Sequence, residues 1–252
     1  MAATQKKVNF LEKLPPILLI ATIALAFVVG NLWEKVRRLE GGNGSSTVQG
    51  ADGTGDQTQT GTAPTPKPVV LDDVKAVFQK DIIKFGDSDS KLLLVEVADP
   101  SCPYCHVAAG LNPELNASVG DRFKLVSDGG TYVAPVIEMK KLVDEGKASF
   151  AWIYTPGHGN GEMGTKALYC AAEKGKFWEV HDVLMASKGY DLLNNTVKND
   201  KTKSGELSQF LSSAIDSSFL KSCLDSGKYD SRLQSDITLA RSLGVSGTPG
   251  FF

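Results

Sequence analysis

The sequence predicts a mixed α/β domain preceded by a single transmembrane helix and a flexible linker. Three observations carry that prediction. An uncharged apolar stretch lies near the start, a Gly/Ser/Thr-rich stretch follows it, and from Val69 onward strand-like apolar runs alternate with helical patterns. Whole-chain averages hide this segmentation. Of 252 residues, 42% are hydrophobic and 22% charged, and the net charge is −2. That balance gives no chain-wide basic signal for nucleic acid.

The first segment, 1–40, reads as a membrane anchor. No charged residue occurs between Lys13 and Glu34, leaving positions 14–33, or 20 residues, uncharged. A bilayer core needs a helix of about 20 apolar residues. "PPILLIATIALAFVVGNLW" carries only Thr22 and Asn31 as polar side chains, and Trp33 ends it where aromatic residues favour the interface. A cleavable leader is the rival reading, because "ALA" at 24–26 has the small-x-small form. Apolar residues continue beyond it to Leu32, which favours an uncleaved anchor. Lys6, Lys7 and Lys13 on one side are balanced by Lys35, Arg37 and Arg38 on the other, so flanking charge does not orient it.

Residues 41–68 hold Gly, Ser, Thr, Gln and Pro but no aromatic side chain. Such a segment cannot bury enough apolar surface to offset its ordering entropy and reads as a disordered linker. As a flexible coil its 28 residues span roughly 30 Å root-mean-square.

The domain, 69–252, follows. "LDDVKAVFQKDI", 71–82, has helical periodicity with Asp72 and Asp73 in a first turn. "KLLLVEVA", 91–98, is a buried strand by its Leu and Val run. Residues 108–130 read as a long, loose connection. "YVAPVIEMKKLVDEG", 132–146, is helical and stops at a glycine, and "ASFAWIY", 148–154, is a second strand. Residues 162–243 form a mostly helical block, in which Leu233, Ile237, Ala240 and Leu243 fall near one face. Trp152, Phe177 and Trp178 are expected in the core.

The chemistry concentrates in "VEVADPSCPYCHV", 95–107. A zinc site needs four ligands, often from two such pairs, and Cys170 and Cys223 are single and distant. A fixed crosslink between Cys102 and Cys105 closes too small a loop to be a useful staple. A redox pair uses the closeness: one thiolate attacks, and its neighbour resolves the mixed disulfide. Pro103 suits a first helical turn. Cys102 therefore sits at a helix start, where exposed amides and the helix dipole lower a thiol pKa. Cys102 is the expected nucleophile and Cys105 the resolving thiol. His106 either tunes Cys102 when protonated or is an exposed helix residue. His158 and His181 are expected to serve local packing or caps. The even cysteine count beyond the apolar segment invites a structural disulfide between Cys170 and Cys223.

With the cysteine pair, three further features resemble the thioredoxin superfamily, and within it the DsbA-like thiol:disulfide oxidoreductases. Glu96 lies six residues before Cys102, "GTP" occupies 247–249, and "CAAEKGKFWEVHDVLM" at 170–185 precedes "CLDSGKYDSRLQSDITLARSLGVSGTPGFF" at 223–252. The resemblance covers roughly 91–252. It implies a thioredoxin-like fold with a helical insertion. It also implies proton transfer through Glu96 and a cis proline at Pro249, preceded by Thr248, facing the cysteines. "CPYC" is also typical of glutaredoxins, which are shorter and lack the 162–243 block. The family fold continues beyond the cis proline with strands and a helix, so the chain is expected to be part of a longer reading frame.

The resulting expectation is a membrane-anchored, extracytoplasmic thiol:disulfide oxidoreductase that introduces disulfides into exported proteins. All four cysteines follow the membrane segment, and disulfide chemistry persists in oxidising compartments. No metal, nucleotide or flavin is implied. The resemblance implies cysteine-bearing exported proteins as substrates and a DsbB- or VKOR-like membrane reoxidase as partner. A reductase or isomerase of the same fold, and a non-catalytic tethered binding module, are the alternatives.

Overall fold

Two parallel strands form the centre of the domain, β2 (Leu93–Ala98) and β3 (Ser149–Tyr154), paired from Leu93↔Ser149 to Ala98↔Tyr154. The structure, a computed structural model, describes residues 68–87 and 89–252. The expected membrane segment and the linker up to residue 67 lie outside the described residues. Among the described residues no helix is long and apolar enough to cross a membrane.

Parallel strands need a long crossover, and residues 99–148 provide it. The crossover holds α2 (Pro103–Ala109), α3 (Pro113–Ser118) and α4 (Pro135–Asp144). Ahead of it lie α1 (Leu71–Val77) and β1 (Ile83–Phe85). After β3 come α5 (Glu162–Ala172), α6 (Phe177–Met185), α7 (Ser187–Asp191) and a π-helical turn, Leu192–Val197. Then follow α8 (Ser204–Phe210), α9 (Ser217–Asp225), α10 (Asp230–Ser242) and β4 (Gly250–Phe251). The sheet order is β1-β3-β2-β4, with β1 and β4 antiparallel to their neighbours.

The alternation of side chains along a strand divides the core in two. Val95, Val97, Ala151 and Ile153 pack with Val77, Phe78 and Ile82 on one face. Ala98, Phe150, Trp152 and Tyr154 face the helical block on the other, among Leu168, Phe177, Leu184, Leu207 and Leu220. Glu96 has the parity of Ala98. Its side chain therefore belongs to the face that also carries Cys102 and Cys105.

Three expectations change. The first helix stops at Val77 rather than 82, and Ile83–Phe85 pair with β3 as an edge strand. Three residues are too few to display a period of two, so this strand left no pattern to read. The connection 108–130 is more ordered than expected. Asn112 caps α3 by accepting from the Leu115 amide at 3.1 Å, and Pro113 starts that helix. The apolar face of α10 serves both cores: Leu233 and Ile237 join the helical-block side, Ala240 and Leu243 the other. Trp152 and Phe177 are buried, and Trp178 is partly buried against the same cluster.

Candidate active site

The site begins where β2 ends. Asp99, Pro100 and Ser101 turn the chain, and the Cys102 amide donates back to the Asp99 carbonyl at 2.9 Å. Cys102 is the extended N-cap of α2, and Pro103 occupies its first turn, where no amide partner is needed. Gly110, at φ 69°, closes the helix in a left-handed conformation that suits glycine. Cys102 and Cys105 are both free thiols, at 4% and 0% exposure, whereas Tyr104 between them is 49% exposed. Tyr104 meets Phe123 edge-on, with ring centroids 6.2 Å apart.

The two thiols are held in unequal environments. The Cys105 thiol, hydrogen-bonded to Cys102, brings the Cys102 pKa down to about 6, against burial, with help from Thr248 and the Cys105 and Tyr104 amides. As a thiol, Cys102 donates to the Thr248 carbonyl at 3.4 Å. As a thiolate it needs donors instead, and the Thr248 hydroxyl is buried with no hydrogen-bond partner of its own. Cys105 is pushed the opposite way. Burial comes first, followed by its hydrogen bond to Cys102 and the nearby Cys102 and Glu96 charges. Cys102 is thus the thiol poised to ionise, and Cys105 the one that keeps its proton.

Glu96 is buried in β2 opposite Trp152 and Phe251, at 1% exposure, and its Oε2 has no hydrogen-bond partner. Burial alone raises its pKa to about 8, so it carries a proton at neutral pH. His106 is corrected on both of its readings. It is not exposed but fully buried, with Nδ1 2.8 Å from the Met185 carbonyl and Nε2 2.8 Å from the Pro100 carbonyl. A neutral ring has one N–H, so one of these carbonyls faces a lone pair and pulls the pKa up. Burial outweighs both carbonyls and brings it down to about 4. His106 is therefore neutral at neutral pH and adds no positive charge for the Cys102 thiolate. Its place is a brace between the active-site turn and the end of α6.

Thr248 and Pro249 arrive from the far end of the chain, joined by a cis peptide bond. The structure thus brings Cys102, Cys105, Glu96 and Thr248-Pro249 together. Sequence reasoning missed Asp99, a fully buried acid in the turn itself, whose amide donates to Cys105 Sγ at 3.4 Å. An acid lodged between an apolar strand and a cysteine pair was the available signal.

Cys170 and Cys223 are bonded to each other, about 6.2 Å apart at Cα, and join α5 to α9 inside the helical block. With Glu173 they form the grouping of metal-ligand side chains found among the described residues, but both thiols are committed to the disulfide. His158 lies exposed on the loop after β3, while His181 is buried in α6 with Nδ1 2.9 Å from Asp182.

Residues 136–252 match a family model described as Thioredoxin. A curated relative, the Na(+)/H(+) antiporter NhaA 3 of Salinispora tropica, is 26% identical over 171 residues. That match takes in 66% of this chain but spans only 21% of the antiporter's length. Among solved structures, Wolbachia pipientis alpha-DsbA1 is similar at 21% identity and a TM-score of 0.49, covering 68% of this chain and 74% of its own. Oxidised BdbD from Bacillus subtilis is 20% identical with a TM-score of 0.46, covering 68% and 80%. Reduced DsbG from Mycobacterium tuberculosis is 17% identical with a TM-score of 0.45, covering 68% and 77%.

Proposed function

We propose that this chain, a thiol:disulfide oxidoreductase with a thioredoxin-like domain, works as a donor of disulfides to cysteine-bearing exported proteins. One observation carries the direction: Cys102 is stabilised as a thiolate, and that stabilisation exists only while the pair is reduced. Stabilising the reduced form makes the oxidised form a stronger oxidant.

In the forward step, a substrate thiolate attacks Cys102 of the Cys102–Cys105 disulfide. The S–S bond breaks, a mixed disulfide forms on Cys102, and Cys105 leaves with the electron pair. Cys105 then takes a proton, for which Glu96, protonated at neutral pH, is the buried source. A second substrate thiolate attacks the substrate sulfur of the mixed disulfide and expels Cys102 as thiolate, a good leaving group because of its low pKa. The substrate has lost two electrons, and the reduced pair must pass them on. A membrane reoxidase of the DsbB or VKOR kind fits that need.

The placement we propose is single-pass, with the domain on the extracytoplasmic side. It is supported by the uncharged stretch 14–33 and by all four cysteines lying after it. A membrane-impermeant maleimide on intact, reductant-treated cells tests it: labelling of Cys102 before lysis supports the placement, and labelling only after lysis overturns it. Equilibration of the 102–105 pair with glutathione tests direction. A potential above thioredoxin's, between about −200 and −120 mV, marks a donor of disulfides, and one at or below about −270 mV marks a reductase.

A further inference from the structure

We infer that Asp99 is a positioning residue that holds the Thr248 hydroxyl on Cys102 through the loop after β3. Its carboxylate is completely buried and meets four donors. Oδ1 accepts from the Ser101 amide at 2.8 Å and the Ser101 hydroxyl at 2.7 Å. Oδ2 accepts from the amides of Gly157 at 2.8 Å and His158 at 2.9 Å. The first pair fixes the turn that carries Cys102, and the second draws the opposite loop against it.

Two glycines show how closely this is fitted. A Cβ on Gly161 would lie 1.8 Å from Asp99 Oδ1, inside the space the carboxylate fills. A Cβ on Gly157 would lie 1.7 Å from Thr248 Oγ1, so the hydroxyl rests directly on the bare Gly157 backbone. Neither glycine needs a positive φ, and close approach is the reason for each. A closed ring results: Asp99 holds the Gly157 amide, Gly157 backs the Thr248 hydroxyl, Thr248 meets Cys102, and the Cys102 amide returns to Asp99. Without the carboxylate, the Gly157 amide loses its acceptor and the backing behind Thr248 relaxes. The thiolate then loses a donor, although no residue touching it has changed.

This rests on the disulfide-exchange reading, but its test needs no substrate. The rate of iodoacetamide alkylation of Cys102 is followed against pH in the full reduced chain. Cys105 and Tyr190 are the titratable neighbours that must stay unaltered. Asp99→Asn sets an amide N–H₂ against donors, whichever way it turns. Losing one hydrogen bond lowers the ionisation constant of Cys102 about three- to ten-fold, so its alkylation at pH 6, where it is half ionised, should fall about two- to five-fold. Gly157→Ala displaces the hydroxyl from the other side and should give a similar fall. In the double variant the two effects should not add, because both act through one contact. Asn199→Gly is the control. It releases the far end of the same loop, where Asn199 accepts from Glu162 and donates to Gly159, and it suits the φ of 64° at that position. It should lower stability and leave the Cys102 profile unchanged. A folded Asp99→Asn with a wild-type profile overturns the inference, as does an Asn199→Gly profile shifted equally. If Asp99→Asn does not fold, a wild-type profile in Gly157→Ala overturns it alone. A wild-type chain that cannot exchange disulfides would sink the functional reading while leaving this comparison intact.

Discussion

Cys102 and Thr248 are 146 positions apart in the chain, yet the Cys102 sulfur lies 3.4 Å from the Thr248 carbonyl. The same threonine presents a buried hydroxyl with no hydrogen-bond partner of its own, and after the Cys105 thiol its side chain also helps bring the Cys102 pKa down. This one side chain joins the segment leading into β4 to the cysteine turn after β2.

Thr248→Val keeps the shape and removes the donor. The ionisation constant of Cys102 should fall about three- to ten-fold, which lowers its alkylation rate at pH 6 about two- to five-fold. The reduced form loses stabilisation, so the equilibrium with glutathione should shift toward a less oxidising pair by a similar factor. An unchanged equilibrium would show that the hydroxyl does not reach the thiolate.

The pH dependence of stability should differ between the two redox forms. In the reduced protein Cys102 ionises near pH 6, whereas a thiol in the unfolded chain ionises near 9. Between these values the unfolded chain binds one more proton, so this contribution rises with pH, is complete above about 9, and disappears as pH falls through 6. Glu96 runs the other way. With its pKa raised to about 8 from 4.5, the folded state holds the extra proton, and stability falls across that window. Glu96 is present in both redox forms and Cys102 ionises only in one. The stability difference, reduced minus oxidised, should therefore grow from pH 6 to pH 9. Denaturant unfolding of both forms at several pH values measures it, and a flat difference refutes it.

Glu96→Gln should separate proton supply from packing. The amide is nearly the same size and cannot ionise, so the fall in stability between about pH 4.5 and 8 should vanish. Formation of the mixed disulfide on Cys102 should slow, because the departing Cys105 thiolate has lost its buried proton source. Single-turnover exchange with a cysteine peptide, run beside denaturant unfolding, reads both.

The Cys170–Cys223 disulfide should matter to stability and not to the reaction. It closes a separation of 53 residues, worth roughly 4 kcal/mol in the chain-entropy account. A Cys170→Ser, Cys223→Ser double variant should lose most of that in denaturant unfolding while its Cys102 alkylation profile stays in place. A shifted profile would give this disulfide a part in tuning the site.

Much of the candidate cysteine pair was legible because local sequence dictates it. A Leu/Val strand, a proline in the first helical turn and two cysteines one turn apart specify a thiol at a helix start without long-range information. The order of strands and helices was legible for the same reason: both periodicities are written into contiguous residues. β4 lies against β2 beside the site, at the edge of the sheet. What tertiary structure alone decided is the environment of each ionisable group. Nothing near His106 in sequence shows that it is sealed between the carbonyls of Pro100 and Met185, because Met185 comes from another helix. Nothing near Asp99 shows four donors converging on it, because two arrive from residues 58 and 59 positions away. Burial and through-space hydrogen bonds set pKa values, and both depend on which distant segments pack together. The sequence by itself determined which two thiols stand one helical turn apart, and only the fold decided how each of them, and the acid beside them, holds its proton.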